Sequence, residues 1–163
     1  TLKASGHQTT TRDLYDLGFQ AALSREDLTR LTPDIAHEQE HIKWAGALVF
    51  IYPVWWWDRP AILKGYIDRV FTYGFAFQMG PSGATGLLHH RKALIIQTLG
   101  TAEDVYDQNP GAKEAVHRSM AEGTLRYCGI RQVEQLSIYG IGVSTPAERQ
   151  QILRQVAAAA GNL

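Results

Sequence analysis

Ala47-Leu48-Val49-Phe50-Ile51 runs into Tyr52-Pro53-Val54-Trp55-Trp56-Trp57-Asp58-Arg59-Pro60, and the order of residue types there decides the fold class. Five apolar residues between Gly46 and Pro53 are too few for a helix. A continuous apolar run of that length is the pattern of a strand covered on both faces, which belongs to a parallel sheet. Pro60 then suits a helix start, because its missing N–H is one that a first helical turn leaves unpaired. Ile62, Leu63, Tyr66, Ile67, Val70 and Phe71 follow at helical spacing, to an end near Tyr73 and Gly74.

The rest of the chain alternates in the same way. Before this unit, Thr1 to Gly6 reads as a last helical turn closed by Gly6, and the β-branched threonines of Gln8 to Asp13 predict a short strand. Ser24 with Asp27 opens a short helix, and Thr32-Pro33 starts another that runs to about Trp44. After it, Gly80 to His90 predicts a long loop and Ala93 to Thr98 a second buried strand. Ala112 to Tyr127 predicts a helix stopped by Gly129, and Gln132 to Ile138 a third strand of this type. Thr145, Pro146 and Glu148 form a capping box for the last helix. Parallel strands need crossovers, and right-handed crossovers put helices on both faces, so the expected fold is α/β: a doubly wound parallel sheet in three layers, one domain over 1–163. Ligands of such sheets bind beyond the carboxyl ends of the strands, here the loops Tyr52–Arg59 and Leu99–Gly111.

Composition narrows the partners. Sixteen basic residues balance sixteen acidic ones, so no positive field draws in nucleic acid or an anionic membrane surface. No apolar run approaches the roughly 18 residues that span a bilayer, and Thr1 to His7 has no secretory apolar core. The single cysteine, Cys128, cannot close an intrachain disulfide, which fits a cytoplasmic protein.

Three consecutive indoles after a strand cannot all enter a core on one side of the chain, so at least one faces a site. An exposed aromatic cluster forfeits a few kcal/mol of burial unless a flat partner covers it. The alternative is that these rings cover a helix or fill a dimer interface.

Tyr52 to Phe71 followed by Gly74-Phe75-Ala76-Phe77 resembles the signature of the DT-diaphorase-like NAD(P)H:quinone oxidoreductases, a family of flavodoxin-like flavoproteins. The resemblance extends to Asp13-Leu14-Tyr15, Leu23 to Leu28, Thr32 to Ile35 with Glu38-Gln39, and Thr145-Pro146-Ala147. It implies two-electron reduction of quinones or similar aromatic acceptors by NAD(P)H through a non-covalent flavin, in a ping-pong homodimer. FAD is preferred over FMN because Arg149 is present. The implied flavin contacts are Pro53, Val54, Trp55, Trp56, Trp57, Thr98, Leu99, Gly100, Tyr106 and Arg149. Trp56, Trp57, Phe77 and Met79 are the implied substrate contacts, the last two reaching a partner's pocket. Tyr106 is the implied catalytic phenol, stabilising charge on the reduced ring together with the Gly100 N–H.

The chain departs from that family in three places. Gln97-Thr98-Leu99-Gly100 stands where a Thr-Thr-Gly-Gly turn is usual, which puts a side chain at a point of close backbone approach. No histidine follows Tyr106 in Asp107 to Ala112, so no catalytic histidine is assigned. The family's first strand, phosphate loop and most of a helix precede what Thr1 matches, so the sequence is expected to begin inside a longer chain. A non-enzymatic relative with a decayed flavin site is the alternative.

Other signals are weaker. His37-Glu38-Gln39-Glu40-His41 has the spacing of a zinc motif but lacks a third ligand, and reads as a solvated helix face; no metal site is assigned. Gly140 and Gly142 lack the third glycine of a dinucleotide fingerprint. Cys128 reads as packing, His89 and His90 as loop residues able to touch substrate, and His117 as lying on an exposed helix face.

Overall fold

The computed structural model describes residues 1–163. The helices and strands are α1 (Pro33–Trp44), β1 (Ala47–Pro53), α2 (Ala61–Val70), β2 (Phe77–Gly80), β3 (Gly83–Gly86), β4 (Lys92–Thr98), α3 (Glu103–Asp107), α4 (Pro110–Met120), β5 (Val133–Ile138) and α5 (Pro146–Gly161). β1, β4 and β5 form a parallel sheet in that order, in register from Ala47 against Lys92 to Pro53 against Thr98, and from Ala93 against Val133 to Thr98 against Ile138. All three carboxyl ends therefore stop at one level, the level from which the two candidate loops depart.

Alternation along β4 builds the layers. Ala93 and Ile95 face α1, α2 and the turn after α4, in a core with Ile35, Ile42, Ile67, Val70, Met120 and Leu125. Leu94 and Ile96 face the other way, onto Ile138, Ala159 and Ala160, under α5. Gln97 is fully buried among the three strands: its side-chain amide donates to Ser137 Oγ at 2.8 Å, and its oxygen accepts from the Tyr52 hydroxyl at 3.2 Å. A buried amide with both ends satisfied fastens the strand ends together.

The sequence expectations are corrected at several points. Gln8 to Asp13 is not a strand, and the outer edge of β1 carries none. Leu48 and Phe50 pack on the large core, but Val49 and Ile51 are exposed, so β1 is covered on one face rather than two. The segment after Gly6 is instead strapped across α1 and α2 by buried polar contacts. Arg12 pairs with Glu38, and Arg69 binds both oxygens of Asp27, Asp34 and the Gln20 carbonyl. The strap passes so near α2 that a Cβ on Gly65 would meet the Ala21 carbonyl oxygen at 2.0 Å. Ser24 and Asp27 do exchange capping bonds, but around a turn, not a helix.

The loop expected at Gly80–His90 begins with an antiparallel hairpin, β2 with β3. Its end rests on Gly129, whose φ of +107° and closeness to the Leu88 carbonyl exclude a side chain. The helix expected over 112–127 is present as α4 continued without a break by a π-helical segment, Ala121–Arg126, whereas α3 occupies part of the expected loop 99–111. Pro33, Pro60 and the Thr145–Glu148 capping box start α1, α2 and α5 as the sequence implies.

Candidate functional site

The indoles sit on a tight turn directly beyond β1. Val54 N–H donates to the Thr98 carbonyl at 2.8 Å, which locks the start of the turn to the end of β4. Trp55 and Asp58 then exchange backbone bonds of 2.9 and 3.1 Å, so Trp56 and Trp57 are the two central residues. Both have left-handed backbone, φ +50° and +62°. A turn with two positive φ values normally takes Asn and Gly, and an L residue there costs about 1–2 kcal/mol. Asp58 and Arg59 hold the turn from below. Asp58 Oδ1 accepts from Ser119 Oγ at 2.8 Å, and the buried Arg59 guanidinium donates to Thr124 Oγ1 at 3.3 Å. Arg59 Nε is buried without a hydrogen-bond partner, with Asp58 Oδ1 4.0 Å away.

The three indoles have different surroundings. Trp56 is 100% exposed, Trp55 55% and Trp57 39%. Trp57 leans on Tyr106 of α3, ring centroids 5.6 Å apart, and Tyr106 meets Tyr139 at 5.3 Å. These rings cap a small core of Leu99, Tyr106 and Val116, against which Val54 and Tyr139 pack. Burial raises the phenol pKa of both Tyr106 and Tyr139, so both stay protonated donors through neutral pH.

Leu99 was expected to put a side chain at a point of close backbone approach, and its placement removes that obstruction. Its side chain is fully buried, while its N–H donates to the Ile138 carbonyl at 2.8 Å and its carbonyl accepts from Ile141 N–H at 3.1 Å. The loop surface is therefore left to backbone, and Gly100 has open space where a Cβ would stand. The residues present fit a planar ring edge approaching from outside.

Of the residues singled out from sequence, Pro53 to Trp57, Thr98, Leu99, Gly100 and Tyr106 come together at the carboxyl end of the sheet. Arg149 stands on the first turn of α5, its Nε donating to Ser144 Oγ at 3.1 Å, next to a loop that bonds to Leu99 and Thr101. Phe77 and Met79 lie elsewhere, on β2, with Phe77 packed on Tyr73 and Tyr127. Two concavities, about 480 and 460 Å³, also lie away from the indole turn. One borders His90 and the end of α1, the other Arg69 and Phe77.

His117 is not on an exposed face. It is half-buried, with Nε2 3.0 Å from the Tyr139 hydroxyl. Neither residue was legible as part of the site, because nothing in the spacing of two residues on α4 and after β5 signals that they meet. The zinc spacing at His37 and His41 does put their Nε2 atoms 3.1 Å apart, but Glu38 is buried on Arg12 and Tyr66, unable to act as a base there. No cluster of three metal-ligating side chains exists. Cys128 is buried, and burial pushes its thiol up to about 11, as packing requires. No helix is long and apolar enough to cross a membrane.

The chain is similar to known proteins over nearly its whole length. The profile of the flavodoxin-like fold family matches residues 1–163. NAD(P)H dehydrogenase [quinone] 1 of Cavia porcellus is 32% identical over 176 residues, covering 93% of this chain and 64% of the relative. The chain thus spans just under two thirds of that relative's length. The structure of an NAD(P)H:quinone oxidoreductase from Methanothermobacter marburgensis superposes with a TM-score of 0.87 at 30% identity, covering 98% of this chain and 84% of that one. A Streptococcus mutans UA159 structure gives 0.83 at 31% identity, with coverages of 94% and 82%. The chain belongs to the flavodoxin-like fold family, in the branch that contains the NAD(P)H:quinone oxidoreductases.

Proposed function

We propose that this protein is a flavin-dependent NAD(P)H dehydrogenase acting on quinones or similar small aromatic acceptors. The observation that carries the reading is the indole turn: Trp56 is wholly exposed and both central residues keep a costly left-handed backbone. Strain of that kind persists where function uses it, and an uncovered indole next to one that packs on a buried phenol is suited to a planar ring.

A bound flavin supplies the acceptance and donation of hydride; the chain supplies position and charge. Backbone groups of Val54 to Trp57 and of Thr98 to Gly100 would hold the ring's polar edge, and the Gly100 N–H would face negative charge as it develops. Tyr106 keeps its proton at neutral pH and serves as a hydrogen-bond donor at the same end. Trp56 and Trp57 exclude water from the slot in which donor and acceptor bind in turn, which makes the kinetics ping-pong. Arg149 favours FAD over FMN, and Phe77 with Met79 complete the slot of a partner subunit in a cytoplasmic homodimer.

The test is a flavin titration of the purified protein by fluorescence quenching, then anaerobic addition of NAD(P)H and a quinone. Uptake of one flavin per chain, bleaching by NAD(P)H and recolouring by quinone are expected. Absence of uptake would refute the enzyme reading in favour of a non-enzymatic relative. Uptake without bleaching would refute the dehydrogenase assignment.

A further inference from the structure

The cluster around Tyr106 contains two groups that the reading above leaves without a part. Tyr139 directly follows β5 at the carboxyl end of the sheet, and His117 reaches it from α4. The second ring nitrogen of His117, Nδ1, faces the side-chain amide nitrogen of Gln135 at 3.4 Å, and that same nitrogen approaches the Val116 carbonyl at 3.5 Å. An amide nitrogen only donates, so Nδ1 is the accepting nitrogen and Nε2 carries the hydrogen. The hydrogen bonds then run one way. Gln135 donates to His117, His117 donates to the Tyr139 oxygen, and the Tyr139 O–H is left to donate to a third group.

We propose that Tyr139 is a second ligand-facing phenol of this site, presenting its O–H to an electron-rich oxygen or nitrogen on the rim of the bound planar ring, and that His117 is the positioning residue that holds it there. The proposal rests on the flavin reading for the identity of the ring. It does not depend on that reading for the coupling of the two side chains.

The charges around the pair are few, one ammonium held between two carboxylates. Lys113 of α4 lies 5.7 Å over the Tyr139 ring, and its ammonium is bonded to Glu103 at 2.8 Å and Asp107 at 2.6 Å, both from α3. Outside the pair itself, Tyr106 is the remaining titratable group that acts on Tyr139. Burial lowers the His117 pKa, Lys113 lowers it further, and Glu103 opposes them. His117 is therefore neutral at neutral pH, the state in which Nδ1 can accept. Protonation would set two donors, Nδ1–H and the Gln135 amide, against each other and break the chain of bonds on the acid side.

The test has two legs. In the flavin-free protein labelled with ¹³C at tyrosine Cζ, with Tyr139 assigned through Tyr139→Phe, His117→Ala should raise the Tyr139 titration, because the phenolate loses a donor. His117→Gln, which keeps a non-titrating N–H near the same place, should restore it. In the flavin-loaded protein, Tyr139→Phe should lower kcat roughly tenfold or more. His117→Gln should recover most of the rate lost in His117→Ala and remove the acid limb of the profile. A Tyr139 titration unmoved by His117→Ala would overturn the positioning role, and wild-type kcat and flavin affinity in Tyr139→Phe would overturn the phenol's. Should the wild-type protein take up no flavin, the ligand-facing role falls with the enzyme reading, while the NMR leg still decides whether His117 holds Tyr139.

Discussion

Trp56→Asn should make the protein more stable and its ring site weaker, and both effects can be sized from the turn. The Trp56 side chain is 100% exposed, so its removal gives up no burial. Its φ of +50° costs an ordinary L residue about 1–2 kcal/mol, and Asn tolerates that region well. Trp56→Asn should therefore gain about 1 kcal/mol, which for a chain of this size is a rise in Tm of roughly 2–4 °C. Trp57→Asn is the internal control. It relieves the same strain but uncovers a ring that is only 39% exposed and packed on Tyr106. At about 25 cal/mol per Å² the lost burial is on the order of 2–3 kcal/mol, so the balance is destabilising. Urea unfolding with an unchanged slope reads both signs. Flavin or acceptor affinity should fall roughly three- to tenfold in Trp56→Asn, the value of about 0.5–1.5 kcal/mol for one aromatic face. A loss of stability in Trp56→Asn would show that the indole is packed in solution and that the argument from strain is wrong. Unchanged affinity would remove its functional half.

Arg69→Ala should destabilise by about 3 kcal/mol or more, since it leaves the Asp27 carboxylate, 4% exposed, buried without its cation; thermal unfolding measures this, and a loss under 1 kcal/mol would be incompatible with the strap. Arg69 also depresses the pKa of Asp27, so stability from this pair is complete above about pH 4, the unfolded value, and declines as pH falls toward the depressed folded one. In Arg69→Ala that acid decline should shrink. Gly65→Ala forces a Cβ against the Ala21 carbonyl and should cost about 1–3 kcal/mol, with protease sensitivity appearing first in residues 8–32. Iodoacetamide should label Cys128 slowly in the native protein at pH 8 and rapidly in urea; fast native labelling would contradict a buried thiol titrating at about 11.

The order of strands and helices was legible because each element carries a local physical cause. Proline at a first helical turn, the Thr145–Glu148 box and continuous apolar runs do not depend on the rest of the chain. What failed were inferences about partners in space. A threonine-rich stretch has strand propensity wherever it occurs, but a strand needs a neighbour with free N–H and C=O groups, and Gln8 to Asp13 lies over α1 and α2, where Arg12 and Glu38 decide its path. β1 reads as buried on both faces for the same reason. Apolar continuity records what can be covered, and Val49 and Ile51 are left open because α5 packs over β4 and β5.

The site divides along the same line. The indole turn and Leu99-Gly100 could be placed from sequence because they directly follow strands whose register fixes their level. What sequence could not reveal is that Leu99 turns inward, or that His117 and Tyr139 meet. Gln97 explains the first. A glutamine that bonds to Tyr52 and Ser137 holds β1, β4 and β5 together at their carboxyl ends, and the next outward step of β4 delivers Leu99 into the small core beneath Tyr106. Gln97 and Leu99 thus act together: the amide fixes the strand ends, and the leucine fills the space below while leaving backbone at the surface. Substituting only Leu99 by Gly should therefore open a cavity under Tyr106 without improving access for a ring. At about 2–5 kcal/mol for losing a buried leucine side chain, the change should lower stability and loosen Tyr106 together. A Leu99→Gly protein that bound flavin more tightly at undiminished stability would mean that the leucine obstructs the site after all.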